Sequence, residues 1–294
     1  LAITVHSVIN QKYLSHFVMT VYYIALTFSS QLGLEHNLYK FGAYPEAIYS
    51  DLNGYGHFLY RARVFQAYWT AAAILLLVIG YLVWTRGTVA GLRERLAVAR
   101  ARLSAPTLAV SGLALAAFIG LGCFIFYNTN ILNHYQTTYS AQRRRADYEN
   151  KYKPLAKEPQ PKIISVLLDV DLYPRTQAAR MRGSYLLENR SGVAVSTLNL
   201  AMPAEPTLRV HKLELGVPST LIDDNRELFV RRYQLTTPLP PGSQTTLTFD
   251  LELTTPGFTN EGSNTAVVYN GTFLNGSRML PSSAKRAIHA SSMI

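Results

Sequence analysis

Three stretches of the chain are apolar for about 20 residues, the length needed to cross a hydrocarbon core. They are Leu14 to Leu34, Gln66 to Thr85 and Thr107 to Tyr127. The first carries His16, several hydroxyls and Gln31; the second has Tyr68, Trp69, Tyr81 and Trp84 near its ends, where amphipathic rings favour a membrane interface. Leu1 to Asn10 reads as the end of a fourth span. After residue 130 the period changes. Residues 131–161 predict a helical stalk followed by a connector, KPLAKEPQPK, stiffened by three prolines. From Lys162 apolar and polar residues alternate: Ile164, Val166, Leu168, Val170 and Leu172 against Ser165, Asp169 and Asp171; Met181, Gly183, Tyr185 and Leu187 against Arg180, Arg182 and Glu188; Leu247, Phe249, Leu251 and Leu253 against Thr246, Thr248, Asp250 and Glu252. A period of two means strands with one face buried and one wet. Further strands are expected at Leu208 to Leu215 and Glu227 to Leu235. Without intervening helices, such strands form an antiparallel sandwich.

The expected architecture is an α-helical membrane segment, residues 1–130, followed by an all-β antiparallel sandwich, residues 162–281, with a tail, 282–294, left unassigned. Leu1 stands where a complete chain would have methionine, and the opening residues lack a signal peptide's basic start, so the sequence reads as a piece of a longer one.

Charge then orients the membrane segment. The net charge is +10, and five arginines, Arg86, Arg93, Arg95, Arg100 and Arg102, crowd into the loop between the second and third spans. Leu92, Leu96, Ala99 and Leu103 fall on one helical face there, the pattern of a basic helix lying on a membrane. A short basic loop sits on the cytoplasmic side. The sandwich is then expected outside the cytoplasm, and so are Arg143, Arg144 and Arg145, as a solvated helix surface. Nucleic acid is not expected as a partner, because the basic residues are split between loop and stalk and no stacking aromatics interleave with them. Gly112, Ala116 and Gly120 recur every four residues, either as a contact for another membrane helix or as the ordinary small-residue content of a span. The single cysteine, Cys123, excludes an intrachain disulfide and is expected to be a small packing residue.

The minimum parts of several chemistries are missing from the sequence: it has no GxxxxGK[ST] phosphate loop, no HExxH zinc pair and no GxSxG elbow. No enzyme activity and no cofactor are therefore expected of this chain. The loop GLEHNLYKFGAYPEAIYSDLNGYGHFLYRAR holds Glu35, His36, Asp51 and His57, which could converge on a metal or substrate. The preferred expectation is a structured loop whose polar groups cap helix ends. Three Asn-x-Ser/Thr sequons, at Asn189, Asn270 and Asn275, carry little weight alone.

GLEHNLYKFGAYPEAIYSDLNGYGHFL, GLGCFIFYNTNILNHY, YENKYK, KIISVLLDVDLYP and MRGSYLLENRSG resemble bacterial fusion proteins in which an ABC-2 type transporter permease precedes an M1 family aminopeptidase-like domain. The resemblance extends to about Pro281. It implies membrane helices and a non-catalytic sandwich that would flank a zinc peptidase domain, with zinc only in that further domain. It also implies a bilayer of the bacterial inner membrane, an ABC ATPase subunit and other helices of the same transporter as partners. The family's zinc motif and Gly-Ala-Met-Glu-Asn-like segment have no matching positions here, so no catalytic residue carries over. The tail after Ser282 departs from the family, as a frameshift would leave it. A self-sufficient membrane-anchored sandwich that binds a peptide or partner protein is the alternative.

Overall fold

A computed structural model describes residues 1–9, 11–49, 51, 54–84, 91–205, 207–262, 267–269, 271–272 and 279–283. The chain divides into two compact units, Leu1–Thr138 with Phe258–Ser263, and Tyr139–Gly257 with Asn264–Ile294.

The first unit is helical: α1 (Ala2–Ile9), α2 (Lys12–Thr27), α3 (Phe58–Val83), α4 (Leu92–Arg102) and α5 (Ala105–Phe126), the last running into a π-helical turn, Tyr127–Leu132. Two of its helices, Phe58–Val83 and Ala105–Leu132, are long and apolar enough to cross a membrane. At 1.5 Å per residue they measure about 39 and 42 Å, against a hydrocarbon core of about 30 Å. The 16 residues of α2 reach only about 24 Å. Beyond Thr27 the chain continues in turns and stops at Gly33, whose φ of +73° suits glycine. The Gly33 N–H donates to the Ser30 carbonyl at 3.1 Å and the Leu34 N–H to the Ser29 carbonyl at 2.8 Å, the paired bonds of a Schellman stop. So the apolar stretch predicted over 14–34 is a short helix plus a capped turn. α5 begins with Ser104 as N-cap and a proline in its first turn.

α3 and α5 run antiparallel. Phe65 meets Ile125 in the buried core, and the Tyr68 ring stacks on Phe118 at 4.6 Å. The small residue that admits this contact is Gly122, where a Cβ would stand 3.2 Å from the Tyr68 ring. Gly112, Ala116 and Gly120 are exposed on the other side of α5, and a Cβ added at either glycine would meet nothing within 4 Å among the described residues. Cys123 is exposed too, so the packing role expected for it is not seen within the described chain. Leu77 on α3 and Leu113 on α5, 55% and 75% exposed, belong to an outward apolar surface. That is how helices that meet lipid are dressed.

The second unit begins at Tyr139, within α6 (Thr138–Tyr152), and continues with a 3-10 turn (Lys153–Lys157), then β1 (Lys162–Tyr173), β2 (Ala178–Glu188), β3 (Val195–Ala201), β4 (Leu208–Leu215), β5 (Ser219–Asn225), β6 (Val230–Leu239), β7 (Gln244–Thr254) and the two-residue β8 (Val267–Val268), β9 (Gly271–Thr272) and β10 (Ser282–Ser283). Two four-stranded antiparallel sheets result, ordered β1-β2-β7-β4 and β10-β3-β6-β5. Met181, Tyr185 and Leu187 of β2 and Leu247, Phe249, Leu251 and Leu253 of β7 are buried as their alternation predicts, with Leu198 and Leu200 of β3 in the same core. Their polar neighbours meet on the outer face: Arg180 grips Asp250 through two bonds of 3.0 and 2.8 Å, and Arg182 reaches Asp169 and Asp171. Gly183 is required where β1 and β2 approach, since a Cβ would fall 2.3 Å from the Leu167 carbonyl and 3.0 Å from the Phe249 ring. β1 departs from its expected burial: Val166, Leu168 and Leu172 are exposed, because β1 is an edge strand.

The region expected as a helical stalk and connector contains α6, and its end is bonded to the strands. Tyr152, 1% exposed, donates its hydroxyl to Asp223 at 3.0 Å, and Lys151 pairs with the same carboxylate at 3.2 Å. Glu158 accepts from Asn199 at 2.8 Å, and Gln160 bonds the free edge of β3. The sequon at Asn189 is closed: the side chain is fully buried, donating to the Val193 and Leu239 carbonyls and accepting from Ser191. Asn270 and Asn275 lie outside the described residues.

Candidate functional site

The π-turn after α5 carries Asn128, Thr129 and Asn130 in succession, and polar residues at a helix end need partners once buried. Thr129, 1% exposed, donates its hydroxyl to the Ile125 carbonyl at 2.8 Å. It also receives His36 Nε2 at 3.0 Å and Asn130 Nδ2 at 2.9 Å. On the other side of the imidazole, Nδ1 lies 3.1 Å from the Leu38 backbone N–H, so Nδ1 accepts and the proton belongs on Nε2. Burial pushes His36 down to about 4, which keeps this neutral tautomer at physiological pH. Its ring meets Tyr135 edge-on at 4.7 Å. The Tyr135 hydroxyl is buried without a partner among the described residues, and burial, followed by the Glu35 charge, pushes that phenol up to about 12.

Glu35, also buried, accepts from the Thr138 backbone N–H at 2.7 Å and its hydroxyl at 3.0 Å. Thr138 is the first residue of a helix, where a carboxylate is favoured by the unpaired N–H groups. Asn37 is tied to the segment Phe258–Gly262: its backbone N–H donates to Asn260 Oδ1 at 3.0 Å and its Nδ2 to the Asn260 carbonyl at 2.9 Å. Arg61, 4% exposed, donates to the Glu46 carbonyl at 2.8 Å.

Of the four loop candidates, the structure brings Glu35 and His36 into one buried cluster and leaves Asp51 and His57 out of it. Asp51 is exposed. His57 stands at the N-terminus of α3 beside the Phe58 ring, lowered by burial and then by the Arg61 charge. Among the described residues no three His, Cys, Asp or Glu side chains lie together in a way that could hold a metal ion. The cluster is thus a lock that joins the loop, the π-turn and residues 258–262. Sequence reasoning missed Thr129 and Asn260. NTN after an apolar run signals a polar helix end, but nothing local marks a partner 223 residues away.

The basic loop acts on the opposite ends of these helices. Arg95 is buried and donates to the Val8 carbonyl of α1 at 2.7 Å; Arg102 donates to the Tyr81 and Trp84 carbonyls at the end of α3, at 2.6 and 2.5 Å. Two guanidiniums therefore sit on helix C-termini, where unpaired carbonyls and the helix dipole favour positive charge. Arg93 and Arg100 are exposed, and Arg86 lies outside the described residues.

No family model and no curated protein matches the chain. Solved structures to which it is similar include a mutant M1 zinc metallopeptidase from Deinococcus radiodurans bound to a Tyr-Ser-Ala substrate: identity 14%, TM-score 0.26, covering 32% of this chain and 21% of that one. Another structure of a mutant M1 zinc metallopeptidase from Deinococcus radiodurans gives 16%, 0.26, 35% and 25%. A two-domain M1 zinc metallopeptidase mutant bound to L-tryptophan gives 15%, 0.28, 42% and 30%. The chain spans less than a third of the length of these structures, and no residue role is carried over from them.

Proposed function

We propose that the chain is part of a membrane transporter permease joined to an M1 aminopeptidase-like region, supplying membrane helices and a non-catalytic sandwich that flanks a zinc peptidase domain. The observation that supports this is the antiparallel pair α3 and α5. Both helices are long enough to span and present apolar side chains outward, and Arg102 from the intervening helix is seated at the end of α3. In this reading the arginine end faces the cytoplasm, the sandwich lies outside it, and an ABC ATPase subunit is a partner. The chain itself carries no peptidase activity and no zinc. Sequencing the gene past the codon for Ile294 in all frames is the test: an HExxH-encoding stretch supports the fusion, and a stop followed by unrelated sequence overturns it. The second reading, a membrane-anchored binding module, draws support from a ligand-sized cavity in the second unit.

A further inference from the structure

α6 carries Arg144 and Arg145, neighbours in sequence, and Tyr148, about one helical turn beyond them, and with the end of β3 and the β5–β6 turn these line an open cavity of about 380 Å3. The apolar part of the wall is Met202, Leu228 and Phe229. Among the described residues neither guanidinium has an ion-pair partner, and the buried Tyr148 hydroxyl has no hydrogen bond. Burial raises that phenol, so it remains a donor. Phe229, one of the lining residues, holds a φ of +55°, a backbone region bulky residues avoid. Of the three arginines expected as a solvated helix surface, Arg143 and Arg145 are exposed and Arg144 is half-buried.

We propose that this cavity binds a small ligand carrying one carboxylate on a compact apolar body. The two guanidiniums match a carboxylate's two oxygens, and the apolar wall takes the body. A volume of this size with few convergent polar groups is the ordinary form of a small-molecule site. Two acids also line it. Glu149 is paired with Lys153 at 3.6 Å, while Glu227 is exposed and repels any anion, a dianion more than a monoanion, which favours a monocarboxylate. The site lies wholly within the second unit and is independent of the transporter reading, so its failure leaves that reading untouched.

The test is calorimetric titration of the full chain in detergent with N-acetyl-leucine, octanoate, leucinamide and succinate. Heat is expected with N-acetyl-leucine or octanoate, the stronger of the two assigning an amino-acid or a fatty-acid source. Leucinamide and succinate should bind at least tenfold more weakly. The double variant Arg144→Gln, Arg145→Gln should lose binding at least tenfold. Arg144→Gln alone should weaken it severalfold without lowering the thermal midpoint of the empty protein, because that guanidinium has no ion-pair partner to lose among the described residues; this single variant decides the matter if the double one fails to fold. Absence of heat with both carboxylate probes, equal binding of leucinamide, or unchanged affinity in the variants overturns the proposal.

Discussion

Gln160 stands in for a strand beside Asn199: its Oε1 accepts the Asn199 backbone N–H at 2.8 Å while its Nε2 donates to the Thr197 carbonyl at 3.0 Å. A side-chain amide has the same donor and acceptor as a peptide group, so it can pair with an open sheet edge over the stretch that β10 leaves uncovered. Gln160→Ala should cost roughly 1–3 kcal/mol, the net value of two hydrogen bonds at a partly buried edge. Gln160→Glu keeps the acceptor but sets an oxygen against the Thr197 carbonyl, and should be no milder. Thermal melting of the β circular-dichroism signal compares the three proteins; an alanine variant as stable as the parent would show that the edge is satisfied by water.

Gly183→Ala tests the close approach of β1 and β2. The added methyl meets a backbone carbonyl and a packed aromatic ring, neither of which can swing away. Overpacking of this kind costs typically about 1–3 kcal/mol. Gly192→Ala is the matched control, since a Cβ there meets nothing within 4 Å. Equal melting of the two variants would contradict the geometry.

His36 makes the first unit acid-sensitive. Its folded value is lowered to about 4 from the ordinary 6.5, so between those limits the unfolded chain binds a proton that the folded chain refuses. Stability is whole above pH 6.5 and falls as pH drops through that window, by up to about 3 kcal/mol. His57, lowered as well, adds to the same slope. His36→Gln keeps a donor for Thr129 but cannot take the proton, so melting of the helical unit at pH 4.5 and 7 should differ less in that variant. A parent protein equally stable at both pH values would remove the buried neutral imidazole from the account.

The arginines of α4 are expected to set orientation in the membrane. A reporter active only outside the cytoplasm should work when fused after Pro161 and stay silent when fused after Leu103. Changing Arg93, Arg95, Arg100 and Arg102 to glutamine should blur that contrast, whereas changing Arg143, Arg144 and Arg145 should not. The opposite pattern places the sandwich in the cytoplasm. Arg95 and Arg102 also hold the ends of α1 and α3, so their replacement should lower helix stability where that of Arg93 and Arg100 does not.

Legibility followed burial. β2 and β7 could be read because each has one wet and one buried face, so their alternation is regular. β3 escaped because Leu198, Asn199, Leu200 and Ala201 are buried in succession, which erases the period, and β5 escaped because most of it is exposed. β1 alternates in sequence yet stays largely exposed, since an edge strand's burial depends on what covers it. At the polar cluster, Glu35 and His36 were found as chemistry-bearing residues in a loop. Their partners could not be, because Thr129 and Thr138 come from a distant helix end.

The bond between Asn37 and Asn260 orders events in time as well as in space. Ribosomes add about 5–20 residues per second, so the 223 residues separating the two asparagines take about 11–45 s to emerge. Throughout that interval the nascent helices exist without the last segment of their own unit, and Asn37 has only water or a chaperone to satisfy its backbone N–H. The unit whose translation begins first therefore waits for residues that follow seven strands of the sandwich, and a ribosome stalled anywhere between Tyr139 and Gly257 leaves an incomplete helical unit behind it.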